Sequence, residues 1–141
     1  MPVTRRRFLL GLGVALVPLP SLAVEPALAQ FIRSLGIDPG AVRWGAGIIL
    51  TAPLIADDGS VVPVQARADG HTVGTLHLFA PGNPKGHVAS AVFGPAAGRA
   101  ELGLRIRLAK SQTIAAIARH TDGRLVGALA EVRVTAGGCR T

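Results

Sequence analysis

The sequence contains little sulfur and few aromatic rings. Its 141 residues include one cysteine, one methionine, one tryptophan and no tyrosine. A single cysteine excludes a disulfide within the chain, and it also excludes the Cys-x-x-Cys pair that thiol redox enzymes normally use. The four histidines, His71, His77, His87 and His120, do not have the spacing of a zinc site, so we expect surface or strand histidines and no metal site.

The charge is positive but scattered. Lysine and arginine number 15 against 8 aspartate and glutamate, a formal net charge of +7. No basic stripe with interleaved aromatic residues is present, and the sequence therefore gives no support for nucleic-acid binding. A weak preference for anionic partners or substrates is all that the charge indicates.

The start of the chain is typical of an export signal. A basic cluster that includes Arg5 and Arg6 precedes an apolar run over residues 8–19, and the small-residue motifs Ser21–Ala23 and Ala27–Ala29 follow. This order of segments predicts a secretory signal peptide over residues 1–29, with cleavage after either motif.

The arginine pair indicates the route of export. The block TRRRFL matches a twin-arginine signal, which carries folded proteins to the periplasm; an ordinary secretion signal with an extra arginine is the alternative. The apolar run is shorter than the approximately 20 residues of a membrane span, and Pro18 and Pro20 interrupt it, so we expect no stable membrane anchor.

The remainder predicts an all-β domain over residues 30–136. A short apolar helix in PALAQFIRSLG ends at Gly36, and about seven short strands separated by turns follow. In RAELGLRIRLA the apolar residues alternate with charged ones, as in a half-buried strand. SQTIAAIARH fits a strand or a helix, and its position between strands favours the strand. Together these features predict an antiparallel β-sandwich with a short N-terminal helix.

The chain ends in VTAGGCRT, which places the lone thiol of Cys139 beyond the last predicted strand. Gly137 and Gly138 precede it, and two glycines near a terminus predict a flexible arm over residues 137–141. A lone cysteine in an exported protein indicates a reactive thiol or an intermolecular disulfide. The cation of Arg140 is expected to lower the pKa of the thiol or to hold an anionic group attached to it.

These residues resemble the SoxY family, the sulfur-carrier subunits of the periplasmic thiosulfate-oxidising Sox system. The tail VRVTAGGC carries the likeness together with the twin-arginine-like signal and the β-rich middle, and the C-terminal Gly-Gly-Cys is its most specific part. Weaker likenesses are APLIADDGSVVPV, GNPKGHVA and LRIRLAKSQTIAAIA. The resemblance implies that the β-sandwich is immunoglobulin-like. It also implies a carrier, not an enzyme, in which Cys139 bears the substrate covalently, Gly137 and Gly138 form the hinge, and no metal or haem cofactor is bound.

The resemblance also implies partners. A SoxZ-like β-sandwich subunit is expected to form a heterodimer with the chain. A SoxAX-like haem enzyme would couple thiosulfate oxidatively to the cysteine, and a SoxB-like manganese-dependent hydrolase would release sulfate. The family tail usually reads Gly-Cys-Gly-Gly, whereas Arg140 and Thr141 follow the cysteine here. This difference bears on which client enzymes accept the arm and on which sulfur species the cysteine carries.

Two other functions are open on the residues alone. One is an exported, non-catalytic β-sandwich that dimerises through an intermolecular disulfide of Cys139. The other is a thiol redox enzyme, which the missing second cysteine disfavours.

Overall fold

The computed structural model describes residues 26–69 and 72–135. Within these ranges the chain forms one α-helix, one short 3-10 turn and nine strands. In chain order they are α1 (Pro26–Ser34), the 3-10 turn (Pro39–Ala41), β1 (Val42–Trp44), β2 (Ile48–Thr51), β3 (Ile55–Ala56), β4 (Val62–Ala68), β5 (Val73–Phe79), β6 (His87–Val92), β7 (Ala100–Ile106), β8 (Gln112–His120) and β9 (Leu125–Val134). None of the described helices is long and apolar enough to cross a membrane.

The strands form two sheets. The larger has the order β1-β9-β8-β5-β6, with β3 paired to the far end of β9, and the smaller has the order β2-β4-β7. All pairs are antiparallel except the two short ones that β1 and β3 make with β9, which are parallel. The all-β sandwich with a short N-terminal helix is thus confirmed, while the predicted arm over 137–141 lies outside the described residues.

The core between the sheets is built from alternate residues of each strand. Along β4 the side chains are alternately buried and exposed, and the buried ones face the inner side of the larger sheet. The alternation predicted for β7 is present: Ile106 and Leu108 are buried, and Glu101 and Arg105 are exposed. This period of two is the pattern expected for strands with one face in a core and one in water.

The larger sheet carries a second, smaller core on its other face. Leu28 and Ile32 of α1 pack there with Phe79 of β5 and with Ala115 and Ile117 of β8. The strand β8 therefore lies between two cores, and residues 114–118 are all fully buried. A strand buried on both faces loses its alternation, which explains why the sequence also fitted a helix at this point.

The helix ends where the sequence predicts. Gly36 has φ +72°, a conformation that favours glycine, and the amide N–H groups of Leu35 and Gly36 donate to the carbonyls of Ile32 and Arg33. At its other end α1 begins at Pro26, so the helix includes the last four residues of the predicted leader.

Pro63 lies on the middle strand of the small sheet. It pairs with Arg105 of β7, but β2 reaches only Gln65 to Ala68 on the other side of β4. Proline has no N–H to donate and is tolerated where a strand has one neighbour. That end of β4 is therefore locally an edge of the small sheet.

Candidate functional site: the end of the last strand

The last strand is paired on one edge up to its final residues. Arg133 and Val134 lie beside Ile55 and Ala56 of β3. The amide N–H of Arg133 donates to the carbonyl of Leu54 (2.9 Å), and that of Thr135 donates to the carbonyl of Ala56 (3.1 Å). The backbone is consequently fixed as far as Thr135, four positions before Cys139.

The side chains of Ser111 and Asp57 also bind the last residues of the strand. The Val134 amide N–H donates to the hydroxyl oxygen of Ser111 at 2.8 Å, and that hydroxyl lies 3.4 Å from the carbonyl of Val134. The Thr135 hydroxyl donates to the carboxylate of Asp57 at 3.3 Å. Through Ser111, the loop before β8 holds the edge of β9 that β3 does not cover. We call the contacts of residues 133–135 with Leu54, Ala56, Asp57 and Ser111 the clamp.

Gly59 packs directly against this clamp. A Cβ added there would lie 2.7 Å from the carbonyl oxygen of Leu108 and 2.9 Å from Cγ1 of Val134. The carbonyl of Gly59 accepts a hydrogen bond from the amide N–H of Leu108 at 2.7 Å. This approach leaves no room for a side chain, so glycine is required here by space and not by a turn conformation.

An amide network fixes the loop that carries Ser111. Asn83 accepts from the Ala109 N–H (2.9 Å) and donates to the Arg107 carbonyl (2.6 Å). The side-chain amide of Gln112 donates to Asn83 Oδ1 (3.1 Å), and its oxygen accepts from the Gly82 N–H (2.8 Å). The turn after β5 and the loop before β8 thereby form one hydrogen-bonded unit.

The charges around the end of β9 are exposed and of both signs. Arg133 pairs with Glu131 at 3.7 Å, with both side chains more than half exposed. Hydrogen bonds from the Ser60 hydroxyl and then its amide N–H hold the pKa of the exposed Asp58 carboxyl below its ordinary value. These exposed groups orient the turn beside the end of β9.

A histidine pair lies on the face of the larger sheet that also carries α1. The ring centroids of His77 and His87 are 5.6 Å apart, and both rings contact Phe79. Within the described part of the chain, Thr75 Oγ1, His77 Nδ1 and His87 Nε2 are buried without a hydrogen-bond partner. Burial, followed by the nearby charges of His87 and Arg119, lowers the pKa of His77.

The other two histidines do not join this pair. His120 is buried, and the hydroxyl of Thr72 lies 2.8 Å from its Nδ1. His71 lies outside the described residues. Across residues 26–69 and 72–135, no group of three or more His, Cys, Asp or Glu side chains is placed to hold a metal ion.

The residues predicted to carry the chemistry lie outside the described part of the chain. These are Gly137, Gly138, Cys139 and Arg140, together with Arg5 and Arg6 of the signal. Their roles stay predictions. The structure describes the fixed point from which the tail starts.

Three segments distant in the sequence meet at that fixed point. They contain residues 54–59, Asn83, and the loop from Arg107 to Gln112. The sequence did not reveal the anchoring roles of Ser111, Gln112 and Asp57, because single polar residues in loops have no period. The close approach of Gly59 to Val134 has no signal in the sequence either.

The fold and its fixed terminal strand define a class: a β-sandwich that ends beside a tail bearing the only cysteine of the chain. The family model described as "Sulfur oxidation protein SoxY" matches residues 38–139, which includes that cysteine. The chain belongs to the SoxY family.

Solved structures agree with this assignment. The sulfur carrier protein SoxY from Chlorobium limicola f thiosulfatophilum is 29% identical, with a TM-score of 0.64, over 76% of this chain and 94% of that one. A superoxide reductase (neelaredoxin) from Ignicoccus hospitalis has a TM-score of 0.56 at 15% identity, over 67% of this chain and 96% of that one, which shows a shared fold alone. None of the curated proteins matches the chain.

Proposed function

We propose that the protein is a covalent sulfur carrier, in which Cys139 holds sulfur intermediates and presents them to the enzymes of a sulfur-oxidising system. The observation that carries this proposal is the clamp on β9, which fixes the chain up to Thr135. Family membership and the similarity to a sulfur carrier of known structure support it. Four residues from Thr135 to Cys139 span at most roughly 14 Å, so the thiol can enter a channel while the sandwich stays outside.

The chemistry follows from a thiol and an anionic sulfur donor. The Cys139 thiol loses a proton and forms a disulfide bond to the outer sulfur of thiosulfate, which gives Cys–S–S–SO₃⁻ and releases two electrons to a haem enzyme partner. Water then cleaves the bond between sulfur and the sulfonate group, which gives sulfate, a proton and Cys–S–SH. The thiolate is the reactive form in the first step, and the Arg140 cation favours it and the anionic adduct.

The carrier itself is proposed to be non-catalytic and to bind no cofactor. We propose a SoxZ-like β-sandwich subunit as its stable partner, and SoxAX-like haem and SoxB-like hydrolase enzymes as clients. Leu54 and Ile55, which are 66% and 56% exposed, flank the fixed end of β9. Exposed apolar side chains at the base of a short arm support contact with a protein surface there.

The compartment is proposed to be the periplasm, reached through the twin-arginine signal at Arg5 and Arg6. The route carries folded proteins, so a leaderless partner can be exported in complex with this chain. Fractionation of cells that express the wild type and an Arg5→Lys/Arg6→Lys variant tests the route: the variant should remain in the cytoplasm at full length. Export of this variant equal to wild type would contradict it.

The carrier role is tested by Cys139→Ser in cells that grow on thiosulfate. We expect sulfate formation to be lost, whereas Thr141→Ser, a matched substitution in the same tail, should leave it unchanged. If Cys139→Ser abolishes only a covalent dimer on non-reducing gels and sulfate formation continues, the intermolecular disulfide module replaces the carrier.

A further inference from the structure

The predicted leader contains two cleavage motifs, and the second of them lies in the folded domain. The motif Ala27–Ala29 lies within α1, which begins at Pro26. Leu28 is 1% exposed and Ala29 is 8% exposed, so both belong to the core of the folded domain. The first motif, Ser21–Ala23, precedes the helix.

The helix closes the second core of the domain. Leu28 and Ile32 cover Phe79 and Ile117 on the outer face of the larger sheet. The ring of Phe31 lies so close to Gly86 that a Cβ on this glycine would overlap it. Cleavage after Ala29 would remove Leu28 and leave Gln30 as the first residue, halfway along α1.

The position of the second motif also opposes its recognition. Proteolysis occurs where the backbone is exposed and free of intramolecular hydrogen bonds. The bond between Ala29 and Gln30 lies inside a helix whose inner face is packed on the sheet. If the domain folds before export, as proposed above, this bond is protected when the peptidase meets the chain.

We propose that the leader is removed after Ala23, at the motif Ser21–Ala23, and that α1 is part of the mature protein. Water is consumed in the cleavage, a carboxylate forms on Ala23 and an α-amine forms on Val24. The inference rests on the proposed export and shortens the predicted leader from 1–29 to 1–23. The mature domain then keeps Leu28 and the whole of α1.

The test is the N-terminal sequence and intact mass of the full-length chain after export to the periplasm. A mature protein that begins at Val24 supports the inference. An exported protein that begins at Gln30, or at any other residue, overturns the inference and leaves export intact. A chain that keeps residues 1–23 and stays in the cytoplasm overturns both this inference and the proposed export.

Two substitutions at equivalent positions of the two motifs sharpen the test. Each motif needs a small residue two positions before its last alanine, so Ser21→Glu should reduce processing about tenfold or more, with accumulation of the precursor. Ala27→Glu is the matched control, because Ala27 is exposed and a carboxylate suits the first turn of a helix. It should be processed within about twofold of wild type. The opposite pattern, in which Ala27→Glu blocks processing and Ser21→Glu does not, contradicts the proposal.

Discussion

The clamp on the last strand predicts a large effect of a single methyl group at Gly59. In Gly59→Ala the new Cβ would lie 2.7 Å from the carbonyl oxygen of Leu108 and 2.9 Å from Cγ1 of Val134. One of these neighbours is backbone and cannot rotate away, so the loop or the end of β9 must move. Overpacking of this kind costs about 1–3 kcal/mol, which corresponds to a fall in Tm of about 4–20 °C for a domain of this size.

The assay is thermal unfolding followed by circular dichroism, with hydrogen exchange to locate the damage. We expect the amide N–H groups of Val134 and Thr135 to lose protection first, since both are hydrogen-bonded in the clamp. Gly94→Ala is the matched control, because no atom lies within 4 Å of its added Cβ. It should change the free energy of unfolding by less than about 0.5 kcal/mol. Equal Tm values for Gly59→Ala and Gly94→Ala would refute the packing argument.

Three further predictions follow from the second core, the histidine pair and the tail. Leu28→Ala should lower the free energy of unfolding by about 2–5 kcal/mol in urea titrations, because Leu28 is fully buried; an unchanged midpoint would show that α1 is not docked. The lowered pKa of His77 means that folding favours its neutral ring, so this contribution is complete above the ordinary histidine pKa and is lost as pH falls below it. Tm should therefore fall more steeply between about pH 7 and pH 5 in wild type than in His77→Gln, and parallel curves would contradict this. Arg140→Gly should raise the pKa of the Cys139 thiol, seen as slower alkylation by iodoacetamide near pH 7, whereas an unchanged rate would exclude an electrostatic role for the arginine.

Much of the sandwich is predictable from the sequence because its strands alternate. In β4 and β7 every second side chain faces one core, and the pattern fixes both the strand and its buried face. The prediction of β8 as a strand is confirmed, but it rests only on the position of β8 between other strands. A strand buried on both faces shows no alternation of apolar and polar residues. β1 and β3 were not predicted as separate strands, because segments of two or three residues carry no alternation.

The clamp could not be predicted because it is made of contacts between distant loops. The hydrogen bonds of Ser111 to Val134 and of Asn83 to Ala109 join residues more than 20 positions apart. Neither residue belongs to a motif with a chemical meaning of its own. The residue proposed to carry sulfur is the reverse case. A cysteine after two glycines is recognisable in the sequence, but it lies beyond Thr135, outside the described residues.

The most direct test of the carrier proposal is the intact mass of the protein purified without reductant from cells grown on thiosulfate. The account predicts species heavier than the free thiol by the mass of one sulfur atom and by that of a thiosulfonate group. Peptide mapping should place both on Cys139, and dithiothreitol should remove them. A protein that carries only a free thiol or a disulfide-linked dimer under these conditions would contradict the carrier role.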